Sequence, residues 1–385
     1  MPFYTGLILV SGEDRPGITE NLMRTLSQFA VTINDIQQIV IRGRLILTIL
    51  ITLDEAHSEA IVEDLNTLQN ELQADIAVDF SFYQEVNRPQ DLLRVIIIGK
   101  EIRPISLALV AAEVTKLGGN IDDIRRLSSA PIIALELFLS LPNSDIKQVQ
   151  SALSKVAVAN RIDLSVQLGG SASQLKRVVL LDMDSTLIEE EVIDILASYA
   201  GKSQIASEIT KKAMAGEMDF NHSLNSRVSL LAGLDESVLM NARKQITFTT
   251  GAQALVEQLH KLGHEVGVVS GGFIDVIEPI LHSLKVDFYR ANKLEIQDGK
   301  LTGKLLGKII DSDEKANALQ EFANLAGVDL QQTVAIGDGA NDLKMIQTAG
   351  LGIAFNAKPK VIESADSTIS FRDLSAVLPL MGIRT

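Results

Sequence analysis

Val178-Val179-Leu180-Leu181-Asp182-Met183-Asp184-Ser185-Thr186-Leu187 sets two carboxylates directly after a short apolar run. Four apolar residues, β-branched at the start and too few for a helix, read as a buried parallel strand. Such a strand delivers Asp182 and Asp184 to its C-terminal end, the end at which ligands bind in an open α/β sheet. Side chains alternate along an extended chain, so the two carboxylates can point the same way while Met183 points elsewhere. Two carboxylates that close repel, and a cation beside them relieves the repulsion. The stretch alone also fits a plain strand end, with the Asp residues capping the next helix and Ser185 and Thr186 in a turn.

The sequence beyond it favours the chemical reading. Two more apolar runs, Glu265 to Val269 and Thr333 to Ile336, end in polar, glycine-rich loops, Ser270-Gly271-Gly272 and Gly337-Asp338-Gly339-Ala340-Asn341-Asp342. In a parallel sheet such loops converge at one edge. Two acidic loops make an oxygen-rich site suited to Mg²⁺, which takes one or two carboxylates plus water and substrate oxygens, and no matched set of histidines points to zinc. A phosphate fits between that cation, the backbone N–H groups after Asp182, the Ser270 hydroxyl and a lysine. Between the first two strands, Glu189 to Gln245 has helical periodicity and reads as a cap over the strand ends. Asp298-Gly299 between strand residues signals a hairpin.

The N-terminal half is a repeat. Strand Thr5 to Val10, the turn Gly12-Glu13-Asp14-Arg15-Pro16-Gly17-Ile18, a helix, strands Val31 to Ile41 and Leu45 to Leu53, a second helix and strand Asp75 to Tyr83 form a βαββαβ unit. Asp14 is expected to cap the first helix, with Pro16 in its first turn. The same order recurs from Leu93 to Leu168, with Arg15-Pro16 matching Arg103-Pro104 and Ile36 matching Ile124 at a shift of 88 residues. Asn87-Arg88-Pro89-Gln90 and Gly169-Gly170-Ser171-Ala172-Ser173 read as linkers. The expected division is therefore 1–86, 92–168, a linker at 169–176, and 177–385 with its cap at about 189–246.

Composition narrows the partners. The 385 residues carry a net charge of −14 without a block of Lys or Arg, which argues against nucleic acid or an anionic membrane. With no cysteine, disulfides, thiolate nucleophiles and cysteine-bound zinc are excluded. No apolar run is long enough to span a membrane and the N-terminus lacks a signal-peptide layout, so the expected location is the cytoplasm.

Two family resemblances rest on these residues. The paired βαββαβ units resemble ACT domains, small modules that in that family commonly bind amino acids and regulate an attached enzyme. The most specific piece is Gly12 to Ile18, similar to the family's ligand loop, which implies a regulatory site involving Asp14 and Gly17; the second copy has Ile105 where the first has Gly17. The loops at Asp182-Met183-Asp184-Ser185-Thr186, Ser270, Lys315 and Gly337 to Asp342 are similar in order and spacing to the four motifs of the haloacid dehalogenase superfamily. Their form, including Val268-Val269-Ser270-Gly271-Gly272-Phe273, is similar to that of its phosphoserine phosphatases.

The resemblance implies a Rossmann-like parallel-sheet α/β core with a helical cap, and Mg²⁺-dependent hydrolysis of O-phospho-L-serine, the last step of serine biosynthesis. Asp182 matches the nucleophile and Asp184 the general acid and base; Ser270 and Lys315 match the phosphate ligands. Asp182, Asp184 through its backbone carbonyl, and Asp338 match the metal ligands, with Asp342 orienting metal-bound water. Glu191 matches the ligand of the substrate ammonium and Arg227 that of its carboxylate; Met214 and Phe220 match apolar cap contacts, and Gly271, Gly272 and Asn341 lie near the phosphate. L-serine would be the product and effector, and a homodimer the assembly. A related phosphatase or phosphotransferase acting on another small phosphomonoester is the alternative. A sensor with a dead catalytic fold would predict loss of Asp182, Asp184, Lys315 or Asp338, and all four are present.

Overall fold

The computed structural model describes residues 3–83, 92–141, 146–169, 175–214 and 218–384, so the two linkers read at 87–90 and 169–173 fall largely outside the described residues. The chain divides into two compact units, residues 1–88 and 89–385.

The first unit is β1 (Phe3–Glu13), α1 (Ile18–Leu26), β2 (Thr32–Ile41), β3 (Arg44–Thr52), α2 (Ser58–Leu72) and β4 (Asp75–Tyr83). Its antiparallel sheet has the order β2-β3-β1-β4. Alternation puts Leu45, Leu47, Ile49 and Ile51 of β3 on the buried face, where they meet Ile18, Leu22 and Leu26 of α1 and Ile61, Leu65 and Leu68 of α2. One local expectation is corrected. Asp14 does not cap α1, and Pro16 precedes the helix; the N-cap is Gly17, at φ 95°. A left-handed residue there redirects the chain after β1, and only glycine takes that conformation at no steric cost, so the helix starts after it.

The second unit opens with the repeat: β5 (Leu92–Gly99), α3 (Pro104–Lys116), β6 (Asn120–Ser128), β7 (Ile133–Ser140), α4 (Ile146–Asn160) and β8 (Asp163–Leu168), in the equivalent order β6-β7-β5-β8. Here Pro104 occupies the first helical turn, because no glycine follows it to delay the helix.

The larger domain follows. β9 (Val178–Leu181) leads into the cap helices α5 (Val192–Tyr199), α6 (Ser203–Met214), α7 (Phe220–Ser229) and α8 (Ser237–Arg243). The core continues with α9 (Ala252–Lys261), β10 (Glu265–Phe273), α10 (Ile274–Leu284), β11 (Phe288–Gln297), β12 (Lys300–Leu306), α11 (Ser312–Ala326) and β13 (Thr333–Gly337). It ends with α12 (Leu343–Thr348), β14 (Leu351–Phe355), α13 (Pro359–Ile362), β15 (Ser367–Ile369) and α14 (Val377–Leu380). Seven strands form one sheet in the order β12-β11-β10-β9-β13-β14-β15, parallel except for β12. Asp298 and Gly299, both at positive φ, make the tight turn of the β11–β12 hairpin. β9 is central and its four residues are fully buried, because helices cover both faces of a parallel sheet. Among the described residues, no helix is long and apolar enough to cross a membrane.

The second βαββαβ module is welded to this domain. Ile96, Ile98, Leu127, Ile132 and Ala134 belong to the same apolar cluster as Val377, Leu378 and Leu380 of the larger domain. Polar contacts fix the register. Asp163 at the start of β8 accepts hydrogen bonds from Thr368 Oγ1 (2.9 Å), Ser370 N (3.1 Å) and Ser370 Oγ (2.7 Å). Gln167 Nε2 donates to Leu380 O at 2.6 Å, and buried Arg94 joins Glu136 at 3.1 Å and Gln167 at 2.9 Å. Replacing Asp163 by Ala strands these donors in a buried junction, so it should destabilise the second unit by about 2–4 kcal/mol. Denaturant unfolding of the full chain measures this; an unchanged midpoint for the second unit would contradict the assignment.

Candidate active site

Three loops meet at the C-terminal edge of the parallel sheet. β9 pairs with β10 on one side and β13 on the other, so the chain segments after Leu181, Val269 and Gly337 emerge side by side. Asp182 N donates to Ile336 O at 2.9 Å, which ties the first acidic loop to the strand carrying the second. Asp182 and Asp184 each have extended dihedrals, but β9 ends at Leu181 and Met183 between them is helical. The two acids therefore do not lie on one continuous strand as the alternation predicts, and the chain turns again at Ser185, at φ 57°.

Lys315 stands at the centre. The Asp311 side chain caps α11 by accepting from Asp313 N and Glu314 N, both at 3.0 Å, which starts the helix one turn before the lysine. Its ammonium donates to Asp182 Oδ1 and to Asp342 Oδ1, each at 2.6 Å, with the side chain wholly buried. Burial alone would lower the lysine pKa, and the two carboxylates reverse this and raise it, so Lys315 remains a cation.

One lysine does not balance the acids around it. Burial and then Asp342 push the Asp182 carboxyl well above the usual carboxylate range, against the pull of Lys315. Burial and then Glu191 raise Asp184 to about 8, and burial and then Asp342 raise Asp338 to about 7. Asp182, Asp338 and Asp342 offer carboxylate oxygens within 4.8 Å of one another. Excess buried negative charge on hard oxygen donors fits a divalent cation such as Mg²⁺. Asp342 is already engaged on both oxygens, by Lys315 and by Gly339 N at 3.0 Å, so Asp182 and Asp338 have the freer oxygens.

Glycine is required where backbone meets these groups. A Cβ on Gly272 would stand 2.9 Å from Asp184 Oδ2 and 3.0 Å from Ser270 Oγ. Ser270 Oγ accepts from Gly272 N at 2.8 Å, leaving its own proton free to donate.

Above the loops lies a cavity of about 430 Å³. Of the residues singled out in the sequence, Asp182, Asp184, Glu191, Phe220, Arg227, Gly271, Gly272, Asp338 and Asn341 line it. Ser270, Lys315 and Asp342 are buried beneath that lining. The Met214 side chain is outside the described residues. Ser185 Oγ donates to Glu191 Oε1 at 2.9 Å, orienting that acid at the start of α5. Asp14 and Gly17 belong to the first unit, where Asp14 N donates to Gly43 O at 2.8 Å.

Sequence reasoning missed three groups. Asn292, 2% exposed, donates to Gly271 O at 2.8 Å and accepts from Ile310 N at 2.9 Å, so one side chain pins the Ser270 loop to the segment leading into the Lys315 helix. Lys358 lines the cavity, and its backbone N–H donates to Asp338 O at 3.4 Å. Ser223 also lines it. Asn292 sits inside a strand and Ser223 inside a helix, where neither spacing nor a motif marks them.

Comparison with known proteins agrees with this arrangement. A haloacid dehalogenase-like hydrolase model matches residues 179–347, and ACT domain models match residues 5–79 and 93–167. A phosphoserine phosphatase of Mycobacterium tuberculosis is 42% identical over 98% of this chain and 93% of its own length. A solved structure described as a phospho-aspartyl intermediate analogue of phosphoserine phosphatase aligns with TM-score 0.51 at 44% identity, covering 53% of this chain and 98% of that one. A substrate-bound phosphoserine phosphatase complex aligns with TM-score 0.52 at 43% identity, over 53% and 98% of the two chains. The chain thus belongs to the phosphoserine phosphatase family of haloacid dehalogenase-like hydrolases, with two ACT domains ahead of the hydrolase domain.

Proposed function

We propose that the chain hydrolyses O-phospho-L-serine to L-serine and phosphate. The observation that carries this reading is the cavity whose floor presents Asp182 and Asp184 and whose cap presents Glu191 and Arg227. The floor suits a phosphoryl group and the cap suits an ammonium and a carboxylate.

In this reading an Asp182 oxygen attacks phosphorus and the bond from phosphorus to the seryl oxygen breaks. Asp184 delivers its proton to that oxygen, because a serine alkoxide is a poor leaving group. Its raised pKa keeps a proton available near neutral pH. Asp184, now a carboxylate, takes a proton from the water that attacks the aspartyl phosphate, and Asp182 is restored. Ser270 and Lys315 hold the phosphoryl oxygens, with Gly271, Gly272 and Asn341 alongside. The relative solved as a phospho-aspartyl intermediate analogue supports this route. Asp182, Asp338 and the Asp184 backbone carbonyl would hold Mg²⁺, with Asp342 behind them. Bound there, the ion neutralises phosphoryl charge. Replacing Asp182 by Asn should abolish turnover, and Asp184→Asn should cut kcat by at least about 100-fold. Phosphate release from a panel of phosphomonoesters measures both; near-native activity in either variant would refute the mechanism, and indifference to phosphoserine would refute the substrate.

The metal assignment has a signature in stability. Asp184 and Asp338 titrate near 8 and 7 in the fold and near 4 in an unfolded chain, so the stability linked to their protonation is present below about pH 4 and is lost as pH rises through 7 to 8. A divalent cation offsets that loss. The rise in Tm on adding Mg²⁺ should therefore be larger at about pH 8.5 than at about pH 6. Equal rises would place the ion elsewhere.

The first ACT module supports an L-serine effector site. Gly17, at φ 95°, sits at the start of α1, where the free backbone N–H groups of a first helical turn suit a carboxylate. Gly17→Val adds strain and a side chain there, and it should remove the response to added L-serine while leaving basal turnover within about twofold. Equal inhibition of both forms would assign the serine effect to the active site. Exposed Ile39 and Ile41 of β2 and Ile46 of β3, on the outer face of the same sheet, support a homodimer formed through this face.

A further inference from the structure

Helix α7 brings two unpartnered polar groups to one side of the cavity. Ser223 and Arg227 are four residues apart, one helical turn, and both line it. Ser223 is 1% exposed and its hydroxyl has no hydrogen-bond partner; Arg227 Nε is likewise buried and unpartnered. Helical hydroxyls ordinarily satisfy themselves on the preceding turn. Ser229 of the same helix does so, donating to Ser226 O at 2.7 Å, and so does Thr210 on α6, donating to Ala206 O at 3.1 Å. Ser223 does not. Buried donors are paired in folded proteins, so two of them on adjacent turns beside a cavity mark a place where a ligand supplies the acceptors. That ligand group must offer at least two acceptor oxygens and bear negative charge to suit the guanidinium, which describes a carboxylate. The phosphoryl-binding groups lie at Asp182, Gly271 and Gly272, in the floor of the same cavity. Asp194 also lines the cavity and feels the Arg227 charge, so an ammonium has an acidic neighbour besides Glu191.

We propose that Ser223 is a specificity-determining residue, its hydroxyl acting with Arg227 to hold the carboxylate of an amino-acid phosphomonoester. The assignment rests on the phosphoserine reading and adds a residue to it. It is tested with S223A, which nearly preserves volume and removes the donor, and S223C, which keeps the side-chain shape while offering only a weak donor. Both are assayed on O-phospho-L-serine and on phosphoethanolamine, which has the same phosphoryl and ammonium groups and no carboxylate. For both variants kcat/KM on phosphoserine should fall about ten- to hundredfold, mainly through KM. On phosphoethanolamine it should change by less than about threefold. A wild type that prefers phosphoserine, with variants that keep the preference or lose both activities equally, would overturn the Ser223 assignment alone. A wild type with no preference for phosphoserine would overturn the substrate reading, and this assignment with it.

Discussion

The site depends on one buried cation between two carboxylates. Lys315 joins Asp182 to Asp342 with no exposure to water, linking the helix after the hairpin to the ends of β9 and β13. Removing two charges from water is costly, and buried pairs repay it only when geometry and further hydrogen bonds are good. Here the geometry is short and two-sided, and Asp342 gains a backbone donor from Gly339. The arrangement leaves the acids in excess over the lysine, which is the condition a phosphoryl-transfer site needs. An exact balance of charge would leave nothing to attract a cation.

Around that centre, further supporting contacts join segments distant in sequence. Asn292 spans the Ser270 loop and the start of the Lys315 helix, so displacing either displaces the other. Asp163, in the second βαββαβ module, is satisfied by Thr368 and Ser370 at the outer strand of the catalytic sheet. The next link inward is short: Asn356 N donates to Ile369 O at 2.7 Å, and Lys358, two residues on, lines the cavity. Each module has a core of its own, and the second in addition contributes to the packing of the hydrolase domain.

Local chemistry was legible from the chain. Asp182 and Asp184 follow a four-residue apolar run, which is enough to place them at a strand end; a period of two does not orient them, because the strand stops at Leu181 and Met183 is already helical. The βαββαβ repeat was legible because hydrophobic periodicity reports each element separately, and the helical cap because its apolar spacing changes to that of a helix. The start of α1 was misread for an equally local reason: Asp14 and Pro16 carry ordinary helix-start signals, and the left-handed Gly17 overrides them.

The elements, the acidic and glycine-rich loops and the family they resemble are properties of the chain read in order. Tertiary structure alone decided which polar groups meet. The pairing of Asp163 with Ser370, the bridge made by Asn292, the burial of Lys315 between two acids and the unpartnered hydroxyl of Ser223 are set by strand order and domain packing. Periodicity measures which way a side chain faces along its own element. It carries no information about the partner, because that partner arrives from another part of the chain and is fixed only when the sheet closes around β9.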